Sequence, residues 1–160
     1  MDDYTFLTTM GNVAASVTVV TTFDESAEPI GLTVSAFSSV SLDPPLVLVC
    51  LGKEASSLEA IRLRGGYTVN FMAAGTGDLA LTMAERSDDR FAGVAYDSPS
   101  TEVGGPILTD SIFAFFECVV ESEIDAGDHV IFIGRVLAGE FLRERDPLVY
   151  WRRGFVEVSH

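Results

Sequence analysis

Alternation with a period of two dominates this chain. The run "ASVTVVTTF" (15–23) is rich in β-branched residues and predicts a strand. In "GLTVSAFSSVSLDPP" (31–45), apolar side chains fall at Leu32, Val34, Ala36, Val40 and Leu42. Hydroxyls fall at Thr33, Ser35, Ser39 and Ser41, and the pattern is interrupted at Phe37-Ser38. This predicts a strand with one dry face, ended by Asp43-Pro44-Pro45 because proline cannot continue a central ladder. "LVLVCL" (46–51) and "YTVNFMA" (67–73) predict two more strands. "IFAFFECVVESEI" (112–124) alternates, with Glu117, Glu121 and Glu123 on one face, and "HVIFIGRVLAGEF" (129–141) is apolar on both faces over its first half. The "DAGD" between them predicts a hairpin turn. "PLVYW" and "GFVEV" predict the last strands.

Helical spacing is rarer. "YTFLTTMGNVA" (4–14) has it briefly. "SSLEAIRLRGG" (56–66) predicts a short helix capped by Ser56 or Ser57, with Leu58, Ile61 and Leu63 facing inward and Gly65 ending it. "TGDLALTMAERS" (76–87) predicts a helix capped by Thr76. Turn residues fill 88–109, which predicts a long surface loop of the kind that carries function. Long antiparallel strands without enough helices to cover both faces of a layered sheet predict a mainly β protein closed into a barrel. A length of 160 residues without repeat or linker predicts a single domain over 1–160.

Composition narrows the partners. Lys plus Arg number 10 against 24 Asp plus Glu, a net charge of −14, and Lys53 is the only lysine. No basic stripe exists to neutralise nucleic acid or an anionic membrane surface, so neither is expected as a partner. Any bound phosphate must be held by local donors against a repulsive overall field. The start lacks the plan of a signal peptide, and the apolar runs are too short to span a bilayer. Cys50 and Cys118 form no CxxC pair, which predicts two reduced thiols in a cytoplasmic protein. His129 and the terminal His160 are the only histidines, so no His/Cys metal cluster is expected.

The hydroxyl-rich run has no charged or long polar side chain between Gly31 and Leu42, unlike an ordinary solvated face. Small hydroxyls let a ligand approach the backbone and still receive hydrogen bonds. "CLGKEASSLEAI" (50–61) places Gly52, Lys53, Ser56 and Ser57 at a helix start, where free N–H groups attract an anion; the plainer reading is a serine cap beside a surface lysine. Gly75, Gly77 and Ala80 spell G-x-G-x-x-A after a strand, with Asp97 about twenty residues on. The long loop and antiparallel hairpins that follow favour a capped helix over a Rossmann unit. His129 enters a buried strand from a turn and is placed at a barrel rim, suited to a ligand carboxamide or to proton movement. Asp128 is not read as its partner, because neighbours on a strand point to opposite faces. Tyr150 and Trp151, with Arg152 or Arg153, suit a planar ring and a phosphate, or simple packing on the barrel. Arg90 and Phe91 suit closure over a ligand, or Phe91 pins the loop. No G-x-S-x-G elbow offers a hydrolytic nucleophile.

Taken in order, "GLTVSAFSSVSLDPPLVLVC", "KEASSLEAI", "YTVNFMA", "DRFAGV", "GDHVIFIGRV" and "PLVYWRRGF" resemble the short-chain NAD(P)H:flavin oxidoreductases, the flavin reductase-like family, from about residue 6 to 155. Many members are the reductase half of two-component flavin monooxygenases. The resemblance implies a split β-barrel of Greek-key, FMN-binding type with a few short helices, in a homodimer. It implies FMN or FAD, and NADH or NADPH, with a transient oxygenase partner for the reduced flavin. By the same resemblance, Thr33, Val34 and Ser35 face the flavin ring, with Ser38 and Ser39 nearby toward the ribityl chain and phosphate. Cys50, Leu51, Gly52, Lys53, Ser56 and Ser57 complete the ribityl-phosphate cradle, and Arg90 and Phe91 match the family's Arg-Phe pair. His129 orients the nicotinamide without being an obligatory acid or base, and Tyr150, Trp151 and Gly154 lie near the dinucleotide. The chain departs from the pattern at Glu54, where a small polar residue is common, and at Arg153, where glycine is frequent. Two alternatives share the fold: a flavin-binding protein without NAD(P)H turnover, and a flavoenzyme that keeps its flavin and reduces an organic substrate such as a quinone.

Overall fold

Two residues, Ser35 and Ala36, divide the hydroxyl-rich run into two strands, and that break sets the architecture. The computed structural model describes residues 2–87 and 89–158; His160 lies outside the described residues. In chain order the elements are α1 (Asp3–Gly11), β1 (Ala15–Ser16), β2 (Thr18–Phe23), β3 (Pro29–Val34), β4 (Phe37–Leu42), β5 (Pro45–Gly52), α2 (Ser57–Arg64) and β6 (Gly66–Met72). They continue with α3 (Gly77–Ala84), β7 (Ile112–Ala126), β8 (His129–Phe141), β9 (Val149–Trp151) and β10 (Gly154–Val156).

Seven strands form one antiparallel sheet in the order β3-β2-β6-β7-β8-β5-β4. The two ends of that order, β3 and β4, are consecutive in the chain, so a two-residue link can join them only if the sheet curls until its edges meet. The Cys50 N–H donates to the Ala36 carbonyl at 3.0 Å, which extends the β4–β5 ladder back to this link. The protein is mainly β and barrel-like, as the pattern predicts, and its helices are short. β1, β9 and β10 form a separate small sheet.

Alternation sorts the barrel into an inside and an outside. Val20, Val34, Val49, Leu51, Tyr67, Val69, Cys118 and Phe132 fill the interior, and Leu58 and Ile61 of α2 close one end. Burial of such side chains is worth roughly 1.5–3 kcal/mol each. Outside, Ala80 and Met83 of α3 pack with Val19, Met72, Ile107 and Leu108. Gly65 ends α2 in the left-handed region at φ 74°, where glycine meets no Cβ penalty. Leu63 is exposed rather than inward, since i and i+3 of the buried pair leave it on the opposite side. Neither predicted cap is made by its side chain: Ser56 forms no cap bond, and the Thr76 hydroxyl turns back to Ala73 O at 2.7 Å.

The expectation that Glu117, Glu121 and Glu123 share one face of β7 fails. Register shifts between Glu117 and Cys118 and between Val120 and Ser122 reset the alternation. Glu117 is fully buried because the 100–104 loop covers it, while Glu121 and Glu123 are exposed and pair with Arg135 and Arg62. Glu117 accepts from Ser100 N and Oγ, both at 2.9 Å, and from Thr101 N at 2.7 Å. Leu108 N donates to Asn70 Oδ1, and Gly105 N to Thr68 Oγ1, each at 2.9 Å. The expected surface loop is thus core over 104–108. Among the described residues no helix is long and apolar enough to cross a membrane.

Candidate functional site

The register of β4, β5 and β8 assembles a strip on the outer face of the barrel. Ser38 lies beside Leu48, and Leu48, Cys50 and Gly52 lie beside Ile133, Ile131 and His129. Period-two alternation puts all of these on one face. Four predicted site residues, Ser38, Cys50, Gly52 and His129, thus share a continuous surface, and exposed Ser35 sits at the seam above it. The same alternation removes others. Val34 and Leu51 are core side chains, so they can offer a ligand only backbone. Ser39 faces the other way and lines an apolar groove of about 470 Å³ with Phe37, Val47, Phe71, Phe116 and Phe141, at the barrel end opposite α2.

At Gly52 the strip runs into a cavity of about 410 Å³. One wall is Leu32 and Thr33 of β3. A second is the β5–α2 turn with Glu54, Ala55 and Ser56, and the third is Met83 and Ala84 of α3 with Arg86, Ser87 and Arg90. A Cβ on Gly52 would meet open space, so the absence of a side chain there widens the entry rather than relieving a clash. The Thr33 hydroxyl donates to Ala80 O at 2.6 Å, which ties α3 to β3 and leaves the oxygen only as an acceptor toward the cavity. This contact also gives the G-x-G-x-x-A run its role: the Ala80 carbonyl accepts from Thr33 of β3 and Gly77 lies against Phe155.

The positive charge at the cavity differs from the sequence expectation. Lys53 turns away and pairs with Asp125 of β7, because its N–H is bound by Asp128 O at 2.9 Å and its side chain follows the β7–β8 hairpin. Arg86 and Arg90 stand in its place. Arg90 Nη1 donates to Gly31 O at 2.7 Å, and its Nε is buried without a partner among the described residues. Ser57 Oγ, beside Ser56, is likewise buried and unpartnered. Phe91 packs on Gly31, whose added Cβ would lie 3.1 Å from the ring, and meets Tyr96 edge-on at 5.7 Å. Phe91 therefore pins the loop, and Arg90 is the member of the pair that reaches the cavity. Arg86 was not singled out from the sequence; a cation just past the end of a helix gives no signal until the fold shows what it faces.

His129 Nδ1 is 2.7 Å from Asp128 Oδ1. The opposite-faces rule fails here because Asp128 belongs to the turn, before the strand begins. The hydrogen bond from His129, with its charge, holds the Asp128 carboxyl below its usual range. Burial pushes the Cys50 thiol up, so it presents a neutral surface on the strip.

Tyr150, Trp151 and Gly154 are not brought to this site within one chain. Tyr150 meets Phe155 at 5.8 Å, Phe155 covers Gly77 at the start of α3, and Trp151 Nε1 donates to Asn12 O at 3.1 Å. The cavity lies at the far end of α3, an eight-residue helix that spans roughly 12 Å.

Residues 10–159 match the family model described as "Flavin reductase like domain". The chain is 42% identical over 156 residues to "Flavin reductase (NADH)" of Kitasatospora aureofaciens, covering 97% of this chain and 81% of that protein. It is 37% identical over 159 residues to the flavin-dependent monooxygenase reductase subunit HsaB of Rhodococcus jostii strain RHA1, covering 99% and 80%. The solved structure of the NADH:FAD oxidoreductase SgcE6 of Streptomyces globisporus C-1027, in complex with NAD and FAD fragments, superposes with a TM-score of 0.89 at 32% identity, covering 98% and 93% of the two chains. With nearly its whole length matched and its strip and cavity built on the same barrel, this chain belongs to the flavin reductase-like family.

Proposed function

We propose that this protein is an NAD(P)H:flavin oxidoreductase that reduces FMN or FAD with NADH or NADPH. One observation carries the reading: the outer strip from Ser38 through Cys50 to Gly52 and His129 opens directly into the arginine-lined cavity. A flat ring fits the strip, whose side chains are small or apolar, and an anionic tail fits the cavity. Arg90, on the cavity wall, has its Nε unpartnered among the described residues, and a buried unsatisfied donor costs about 1–3 kcal/mol. The ligands supply the chemistry themselves, a hydride passing from nicotinamide C4 to flavin N5.

The chain's own contribution is placement. The peptide groups around Val34 and Leu51 and the hydroxyls of Ser35 and Ser38 are positioned to bind the ring's polar edge. Arg86, Arg90 and Ser56 hold the phosphate. His129, kept in one orientation by Asp128, positions the carboxamide of the nicotinamide. Tyr150, Trp151 and Gly154 join the site only if a second copy or a movement of the small sheet carries them there.

Residues 1–160 act as one flavin reductase-like domain in a homodimer. Leu46, Leu48, Ile131 and Ile133 on the strip are half-buried apolar side chains with no covering element among the described residues, and a second copy laid over them would exclude water from the ring. Ile133→Glu then gives a monomer in sedimentation equilibrium where the unaltered protein is a dimer. The reduced flavin passes to a transient oxygenase partner, as the printed role of the HsaB reductase subunit suggests. Two free thiols suit the reducing cytoplasm.

The deciding assay follows NADH and NADPH oxidation with catalytic protein and excess free FAD or FMN. Many turnovers per protein support the reductase. Flavin binding without oxidation, or turnover only with an added quinone, overturns it in favour of a flavin-binding protein or a flavoenzyme with an organic substrate.

A further inference from the structure

The arginine cavity is not closed at its far side. A second cavity of about 270 Å³ continues from it, and Ser56, Ser87 and Arg90 belong to the walls of both. The two compartments differ in chemistry. The first holds both arginines with a single carboxylate, Glu54. The second holds Asp24 and Glu28 together with Pro29, Ile30 and the ring of Phe91. Asp24 Oδ1 accepts from Ser26 N at 2.8 Å and from Glu28 N at 2.9 Å, which fixes the carboxylate and leaves Oδ2 without a partner among the described residues.

From this pairing we infer that the protein selects FAD over FMN, with the pyrophosphate at the Arg90 wall and the adenosine in the Asp24–Glu28 compartment. The inference rests on the flavin reading above. Three physical points support it. A phosphomonoester such as that of FMN carries close to two charges on one phosphorus near neutral pH. Ending at the shared wall, it would stand beside Glu54 on one side and the Asp24–Glu28 pair on the other, with the second compartment unused. A pyrophosphate diester carries one charge on each phosphorus, which matches two separate guanidiniums. An adenosine is uncharged and offers ribose hydroxyls and an amino group as donors, which carboxylates accept, and a purine face, which Phe91 and Pro29 can cover.

The test is a binding measurement on the flavin-free protein, by calorimetry and by quenching of flavin fluorescence, with FAD, FMN and riboflavin as probes. FAD is expected to bind at least about tenfold more tightly than FMN. Glu28→Trp, on an exposed turn, fills the second compartment. It should reduce FAD affinity to about that of FMN while FMN affinity changes by less than about twofold. Glu28→Gln should act in the same direction more weakly, and circular dichroism confirms that both variants fold. Equal affinity for FAD and FMN in the unaltered protein overturns the inference and leaves the flavin reading intact, as does a Glu28→Trp that weakens both ligands alike. Binding of none of the three flavins overturns the flavin reading, and the inference with it.

Discussion

His129 and Asp128, adjacent in the chain, face each other side chain to side chain, with Nδ1 2.7 Å from the Asp128 carboxylate. The contact engages Nδ1 and leaves Nε2 without a partner among the described residues at the end of the strip. His129→Ala should raise the KM for NADH roughly tenfold, the worth of one hydrogen bond to a positioned group, while flavin affinity stays nearly constant. Asp128→Asn should shift the same KM in the same direction by less. Steady-state kinetics against each substrate checks both, and a loss shared equally by flavin and NADH would contradict the role.

The only lysine and Arg90 can be told apart. Lys53 is paired with Asp125 on the far side of the turn, whereas Arg90 lines the cavity. Lys53→Gln should leave flavin affinity within about twofold. Arg90→Gln should weaken it about tenfold or more, in keeping with a charge-assisted bond worth 1.5–3 kcal/mol. Equilibrium titration with FAD distinguishes the two variants directly.

Glu117 governs the acid side of stability. Burial alone would raise its carboxyl, but the bonds from Thr101 and Ser100 outweigh burial and lower it. A group whose folded value is depressed stabilises the fold above its unfolded value and loses that contribution as pH falls through the folded one. The stabilisation is therefore complete above the ordinary glutamate range and fades below it. Glu117→Gln should cost about 1–3 kcal/mol near neutrality and flatten the acid limb of the Tm–pH curve.

Arg152 and Arg153 form the turn between β9 and β10 at φ 50° and 63°. Left-handed backbone costs a non-glycine residue roughly 1–2 kcal/mol. Arg153→Gly should raise the Tm by about 2–4 °C, as expected for about 1 kcal/mol in a chain of this size.

Much of the fold was legible because it rests on local periodicity. Strand identity over 46–51, 67–72 and 129–141, the hairpin at Gly127 and the helix ended by Gly65 all follow from side-chain alternation and turn chemistry. What remained hidden is non-local. Period two cannot reveal that Thr33 and Ser38 lie on opposite edges of a sheet, because the chain passes between them in two residues. Bulges beside Glu117 and Val120 reset alternation with no mark in the side chains. The Lys53–Asp125 pair and the position of Arg86 depend on how a hairpin and a helix end meet. In the site, Ser38, Cys50, Gly52 and His129 share the outer strip, whereas Val34 and Leu51 turn inward and Ser39 opens on a different groove, which the interrupted alternation at Phe37-Ser38 does not disclose.

The two-residue seam at Ser35-Ala36 has an evolutionary corollary. Ser35 borders the surface proposed for the ring, and the Ala36 carbonyl begins the β4–β5 ladder directly after the chain has crossed from one edge of the sheet to the other. An insertion there would unfasten the cylinder and displace the ligand platform in one stroke. Variation that retunes ligand choice must therefore accumulate elsewhere, in the β2–β3 and β5–α2 turns and after α3, where side chains can change without loosening the scaffold.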